Sequence, residues 1–95
     1  MSESKIQSKL IKKLESSGYY VIKLSATNKP GIPDIIAIPK DCNAIFIEVK
    51  DIGKKPRKLQ KYRMKELLNH GIKSFIYDGT WSLYSKSEDD SKTIE

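Results

Sequence analysis

The sequence predicts an α/β fold in which a mixed central β-sheet is flanked by helices, with the elements in the order αβββαβ. Two amphipathic helical patterns, at residues 4–17 and 57–70, enclose a run of short apolar segments. The central segment 44–47 shows no polar alternation, as expected for a strand covered on both faces. Sheets of that kind are buried by helices, and 95 residues suffice for one such domain.

The elements follow in chain order from apolar periodicity and turn residues. The first helix, over 4–17, ends at Gly18, and the second, over 57–70, ends at Gly71. Strands are predicted where β-branched and aromatic residues cluster between turn signals, at 19–24, 32–38, 44–50, 72–77 and, after a tight turn, a short one at 81–84. The second and third of these strands form a predicted hairpin.

Composition divides the chain into a basic body and an acidic end. The net charge is +6, yet residues 86–95 contain two lysines against four acidic side chains. We therefore predict one domain over residues 1–85 and a disordered acidic tail over 86–95. A basic body of this size favours a polyanionic partner, although a basic surface can also serve solubility alone.

Other classes of protein are disfavoured by what the sequence lacks. No apolar stretch approaches the roughly 20 residues of a membrane span, and residues 1–5 do not begin a signal peptide. The single cysteine, Cys42, cannot form an internal disulfide, which agrees with a reducing compartment. We expect a cytoplasmic protein with no membrane partner.

Charged residues end two adjacent predicted strands. Asp34 follows Pro33, which favours an extended entry, and Glu48 and Lys50 emerge on one face because they are two residues apart. Burying such ions without a partner or a metal is costly. We therefore predict a divalent cation held by Asp34, Glu48 and the Val49 carbonyl, with Mg²⁺ or Mn²⁺ suited to these oxygen ligands.

This arrangement is suited to phosphodiester hydrolysis. A metal neutralises the phosphate and activates water, while the Lys50 ammonium orients that water or stabilises developing charge. The alternative is a solvated aspartate and an exposed edge strand with a solubilising Glu and Lys, which the apolar run 44–47 argues against. Zinc is not expected, because Cys42 and His70 form no ligand spacing.

The motif Pro33-Asp34 followed by Glu48-Val49-Lys50 resembles the PD-(D/E)xK nuclease superfamily. With Gly31, the basic loop at 53–57 and Gln60, the pattern over about residues 3–78 is similar to the VRR-NUC branch, which includes stand-alone, often phage-encoded proteins. The resemblance implies a restriction-endonuclease-like core and a metal-dependent DNA endonuclease. It further implies a homodimer acting on branched DNA such as four-way junctions, in a bacterial or phage-infected cell, with Gln60 in the active site.

One position departs from the family pattern. Many members carry a glutamate on the first helix that contributes to the metal site, and counting back from Gly18 places Gln7 there. A neutral amide is a weaker ligand, so the number of metals stays open. Glu3, one turn earlier, is the alternative, and an exposed glutamine with a frayed glutamate is expected about as often.

Basic residues are expected to contact DNA phosphates. The group comprises residues just after the catalytic strand and one in the loop 25–31: Lys54, Lys55, Arg57, Lys58, Lys61 and Lys29. Two rival functions remain at this point. One is a non-catalytic nucleic-acid-binding or assembly module on a nuclease-like fold, and the other is a small factor that binds a host protein.

Overall fold

A computed structural model describes residues 2–86 as two helices and five strands. In chain order these are α1 (Glu3–Ser16), β1 (Tyr20–Lys23), β2 (Ile35–Ile38), β3 (Ile45–Val49), α2 (Lys58–Asn69), β4 (Ser74–Tyr77) and β5 (Trp81–Leu83). The predicted tail at 86–95 lies, apart from Lys86, outside the described residues. Neither described helix is long and apolar enough to cross a membrane.

The strands form one mixed sheet in the order β1-β2-β3-β4-β5. Every neighbouring pair is antiparallel except β3 and β4, which run parallel. A parallel pair needs a crossover connection, and α2 supplies it. The predicted α/β class is confirmed, with β2 and β3 as the predicted hairpin and β5 as a short edge strand after the core elements.

One face of the sheet is covered by α1. The helix contributes Ile6, Leu10 and Leu14 to a core cluster whose sheet members are odd-numbered residues of β2 and β3, namely Ile35, Ala37, Ile47 and Val49. These four sheet residues are completely buried. Because strand side chains alternate, the even-numbered residues of β3 must point to the opposite face.

The opposite face is covered by α2. Its Met64 is completely buried outside the α1 cluster, and its Gln60 reaches the side chain of Glu48. The helices therefore lie on opposite faces of the sheet, and Glu48 lies beneath α2. This position results from the crossover, because the helix that joins β3 to β4 must pack back over these strands.

The predicted strand at 32–38 begins three residues late, at Ile35, because a turn precedes it. The Ile32 N–H donates to the Lys29 carbonyl, and Gly31 has a φ of 83°. A Cβ on Gly31 would lie 2.7 Å from Leu59 Cγ, so only glycine lets this loop approach α2 so closely. The loop thereby fixes where Asp34 enters the sheet.

Part of the α1 face remains uncovered. The helix packs over β1 to β3, whereas Trp81 and Leu83 on β5 are 48% and 49% exposed. Trp81 packs edge-on against Phe75 and tilted against Tyr77. The result is an apolar strip along the β4–β5 edge that no described residue of the chain covers.

Candidate active site at the ends of β2 and β3

Asp34 and Glu48 are brought together by the pairing of β2 with β3. The antiparallel register that pairs Ile35 with Ile47 continues to place Asp34 opposite Glu48. Directly opposed residues point to the same face and lie close together. The Val49 N–H donates to Asp34 Oδ2 at 2.9 Å, so the Asp34 carboxylate is fixed over the end of β3.

Glu48 is the most enclosed charged residue described, with an exposure of 1%. Its Oε2 accepts a hydrogen bond from Gln60 Nε2 at 2.8 Å and lies 3.6 Å from Lys50 Nζ. Its Oε1 is buried and has no hydrogen-bond partner among residues 2–86. One carboxylate oxygen is thus held by the protein, and the other is left available to a ligand.

Gln60 connects the start of α2 to the site. Its Oε1 accepts from the Arg57 N–H at 2.7 Å, while its Nε2 donates to Glu48. The two bonds fix which end of the amide faces the carboxylate. The structure thus places Gln60 against Glu48, and its role in the active site, which the resemblance implies, stays a prediction.

The electrostatics of the site are those of two crowded acids. Burial raises the pKa of Glu48 to about 8, with a further contribution from the Asp34 charge, against which Lys50 acts. Burial also raises the pKa of Asp34, opposed mainly by the Val49 N–H. Both carboxyl groups therefore resist ionisation in the protein alone, and a cation between them would reverse that tendency.

A divalent metal fits this donor set. Two carboxylates converge, and one offers a buried oxygen without a partner. Among residues 2–86, no cluster of three His, Cys, Asp or Glu side chains suited to a metal is present. Further ligands would then be neutral oxygens, such as the predicted Val49 carbonyl, and water, which suits Mg²⁺ or Mn²⁺ rather than zinc.

The two candidates on α1 differ in what the structure shows of them. Gln7 is partly buried beside the apolar stripe and has no described hydrogen bond to Asp34 or Glu48. The charge of Glu3 contributes to raising the pKa of both site carboxyl groups, after burial as the leading cause. Ser2 caps the helix by accepting from the Lys5 N–H, which orders the turn containing Glu3. Glu3 is thus the α1 acid whose charge reaches the site, and the role of Gln7 stays a prediction.

The predicted DNA-contacting residues lie around the same face. Lys54, Lys55 and Lys61 line a cavity beside β4, while Arg57 and Lys58 are exposed where α2 begins. Lys29 is exposed on a loop that is tied to α2, because Arg63 Nε donates to the Pro30 carbonyl. Their contacts with DNA remain predictions.

Comparison with known proteins identifies the family. The sequence matches the family described as archaeal Holliday junction resolvase (Hjc) over residues 3–87. The chain belongs to the Hjc family. A solved structure described as a VRR_NUC domain is similar to this Hjc-family chain at a TM-score of 0.70 and 29% identity, over 78% of this chain and 81% of that one. The predicted VRR-NUC-type nuclease domain is confirmed; a search of curated proteins found no match.

Two residues that organise the Hjc-family site were missed in the sequence. Arg63 holds the loop before Asp34 through Pro30, 33 residues away. Asp78 holds the loop after β3 that contains Lys54 and Lys55, called the lysine loop below. Its Oδ2 accepts from the Gly53 N–H at 3.3 Å, and its Oδ1 accepts from the Thr80 N–H and hydroxyl. Neither the Arg63–Pro30 contact nor the Asp78–Gly53 contact has a local signal, because each joins segments that only the folded sheet brings together.

Proposed function

We propose that this Hjc-family chain is a metal-dependent endonuclease that hydrolyses phosphodiester bonds in DNA and selects branched substrates such as four-way junctions. The observation that carries the proposal is the state of Glu48. It is buried, faces Asp34, is held on one oxygen by Gln60 and Lys50, and has an unpartnered second oxygen. A buried carboxylate in that state is costly unless a cation completes it.

Asp34 and Glu48 would hold the metal, with the Val49 carbonyl as a further oxygen ligand. A bound Mg²⁺ or Mn²⁺ supplies charge neutralisation at the phosphate and a more acidic water. The protein contributes the fixed positions of both carboxylates, because the Val49 N–H holds Asp34 and the Gln60 amide holds Glu48. Such preorganisation avoids rearrangement of the site during the reaction.

Lys50 is the cationic group of the site. Its side chain is almost entirely buried and its Nζ is 3.6 Å from Glu48 Oε2. An ammonium held there donates hydrogen bonds to a phosphate oxygen or to the attacking water, and it offsets negative charge that develops on the phosphate. Gln60, with both ends of its amide engaged, keeps Glu48 from turning away from Asp34.

We further propose that the active form is a homodimer. Symmetric cutting of a four-way junction needs two sites related by a two-fold axis, and residues 2–86 of this chain form one candidate site. The exposed apolar strip at Trp81 and Leu83 supports a second copy as a partner. Light scattering should find a dimer at micromolar concentration; a monomer with equal affinity for linear and branched DNA would contradict the junction proposal.

The rival function is a non-catalytic DNA-binding or assembly module. It is favoured by Gln7 in place of the commoner acid, and by the lack of a third carboxylate at the site among residues 2–86. Calorimetry separates the two. The nuclease should bind Mg²⁺ or Mn²⁺ through Asp34 and Glu48, whereas the rival would bind DNA without any metal at these residues.

The central test is a cleavage panel of linear, flap and four-way-junction DNA, with Mg²⁺ or with EDTA. Asp34→Ala, Glu48→Ala and Lys50→Ala should each abolish cleavage and preserve junction binding. Glu15→Ala is the matched control, because Glu15 is an exposed carboxylate on α1. Retained turnover in Glu48→Ala would rule out the assigned chemistry.

A further inference from the structure

A cavity of about 300 Å³ lies on the α2 face of the sheet beside the candidate active site. Glu48 is the register partner of Ile76, and Ile76 is the register partner of Ser82. Ile76 and Ser82 both line the cavity. Because paired strands are about 4.8 Å apart, the cavity floor lies roughly 5–10 Å from the Glu48 backbone, measured across the sheet.

The cavity has a basic wall. Lys54 and Lys55 come from the loop after β3 and Lys61 from the first turn of α2, against the single carboxylate of Asp78. Both oxygens of Asp78 accept hydrogen bonds from the protein, as described above, so Asp78 serves to hold the lysine loop in place. The wall therefore favours an anion, while Ile76 on the floor offers apolar surface.

The dimensions fit one nucleotide. A volume of about 300 Å³ is at the lower end for small-molecule sites and far too small for a duplex. A nucleotide has an anionic phosphate and a flat aromatic base whose faces can pack on apolar surface, which matches a basic wall above an apolar floor. Nucleotides rise about 3.4 Å along a stacked strand and are spaced more widely where the strand is unstacked, so the floor lies at most three nucleotides from a phosphate bound at the candidate site.

A nucleotide in an intact duplex cannot enter this cavity, because its base is stacked and paired. Unstacking and unpairing cost a few kcal/mol, and the cost is smallest where pairing is already interrupted. A branch point is such a place. A cavity that received such a nucleotide would discriminate between branched and linear DNA without reading the base sequence.

We propose that the cavity lined by Lys54, Lys55 and Ile76 receives one displaced nucleotide of the cleaved strand, one to three positions from the scissile phosphate. This inference rests on the proposed function and gives it a physical basis for selecting branched DNA. It assigns the lysine loop a role at a single nucleotide, in addition to general attraction for phosphates.

The test is a double-mutant cycle in which a substitution in the cavity is combined with removal of one DNA base. The quantity measured is the binding affinity for the junction. In a full chain carrying Asp34→Asn to prevent cleavage, Ser82→Phe fills the cavity and Ser82→Ala leaves it open. Ser82 is exposed on an edge strand, where an aromatic residue is well tolerated. The probes are four-way junctions with a single abasic residue at each of the three positions on either side of the branch.

At one of these positions, loss of the base should weaken binding to the Ser82→Ala chain about tenfold and leave binding to the Ser82→Phe chain unchanged. Equal penalties in both chains, or no penalty at any position, would overturn the proposal. A second measurement uses NMR spectra of the Asp34→Asn chain without any substitution at Ser82. The amide resonances of Gly53 and Thr80 should shift more with the intact junction than with the abasic one, and identical shifts would reject the cavity.

Cleavage of the intact junction by the unsubstituted chain with Mg²⁺ is measured separately. Cleavage without coupling between cavity and base rejects the cavity proposal and supports the nuclease proposal. Coupling without cleavage supports the nucleotide-binding cavity and rejects the catalytic role. The two proposals therefore fail in different experiments.

Discussion

Glu48 should make the metal-free protein less stable as the pH rises. Its pKa is 4.5 in an unfolded chain and about 8 in the fold, so the folded state binds a proton that the unfolded state releases between these values. The stability that Glu48 contributes is then fully present below pH 4.5 and is lost as the pH rises toward 8. Glu48→Gln, which cannot ionise, should remove this dependence.

The magnitude follows from the pKa difference. At 1.36 kcal/mol per pKa unit, the change from 4.5 to about 8 corresponds to about 5 kcal/mol. This is an upper limit, because part of the change comes from the Asp34 charge, and the pKa of Asp34 is itself raised. Half of that value would still be a large fraction of the stability of a domain this small. One kcal/mol shifts the midpoint of thermal unfolding by about 4–8 °C in a domain of this size.

The assay is urea unfolding in EDTA at pH 5, 6, 7 and 8, for the unsubstituted chain and for Glu48→Gln. The unsubstituted chain should lose at least about 2 kcal/mol across this range. Glu48→Gln keeps only the raised pKa of Asp34 at the site, so it should lose much less and become the more stable protein at pH 8. His70→Gln controls for the single histidine. Asp78→Asn is the control for the direction of the pH effect. The hydrogen bonds from Thr80 lower the pKa of Asp78, so the stability that Asp78 contributes is lost only on acidification.

The reasoning would be refuted by equal, pH-independent stability of the two proteins. Mg²⁺ supplies a second check at pH 8. A cation bound between the carboxylates favours their ionised form, so saturating Mg²⁺ should stabilise the unsubstituted chain by about 2.7 kcal/mol at one hundred times the dissociation constant. Glu48→Gln should gain much less from the same addition.

Three further predictions concern neighbouring residues. Gln60→Ala should destabilise the fold by about 1–2 kcal/mol, since it removes the bonds to Glu48 and to the start of α2, and it should slow cleavage; unchanged unfolding would contradict this. Lys54→Gln with Lys55→Gln should lower the slope of log K against log salt on duplex DNA by roughly 0.9 per lost phosphate contact, with the same sequence preference. Glu3→Gln should lower the pKa of Glu48, and with it the pH at which the stability measured by unfolding falls. An equal effect of Gln7→Ala would show that Gln7, rather than Glu3, is the α1 residue that acts on the site.

The fold was predictable because its signals are local. The stripe of Ile6, Leu10 and Leu14 defines α1 without reference to the rest of the chain, and the apolar run 44–47 just before Glu48 defines β3. The start of β2 was predicted too early. Proline and the apolar residues around it favour extended backbone, but the turn closed at Gly31 depends on its contact with Leu59, which is far away in sequence.

The candidate site was predictable to the extent that strand alternation determines it. Glu48 and Lys50 share a face because they are two residues apart, and the hairpin places Asp34 opposite Glu48. The clamp made by Asp78 and the anchoring of the loop by Arg63 depend on tertiary pairing that no periodicity reveals. Burial of Glu48 was expected from its strand, yet the unpartnered oxygen is visible only in three dimensions.

The parallel pairing of β3 with β4 links the fold to its chemistry. Such a pair requires a crossover, and the crossover helix packs over the face to which Glu48 points. The same helix brings Gln60 to one oxygen of that carboxylate and leaves the other without a partner. A hairpin in place of the crossover would leave Glu48 in water, with an ordinary pKa and little affinity for a cation. The burial that lowers stability at neutral pH is therefore the same burial that prepares Glu48 to bind a metal.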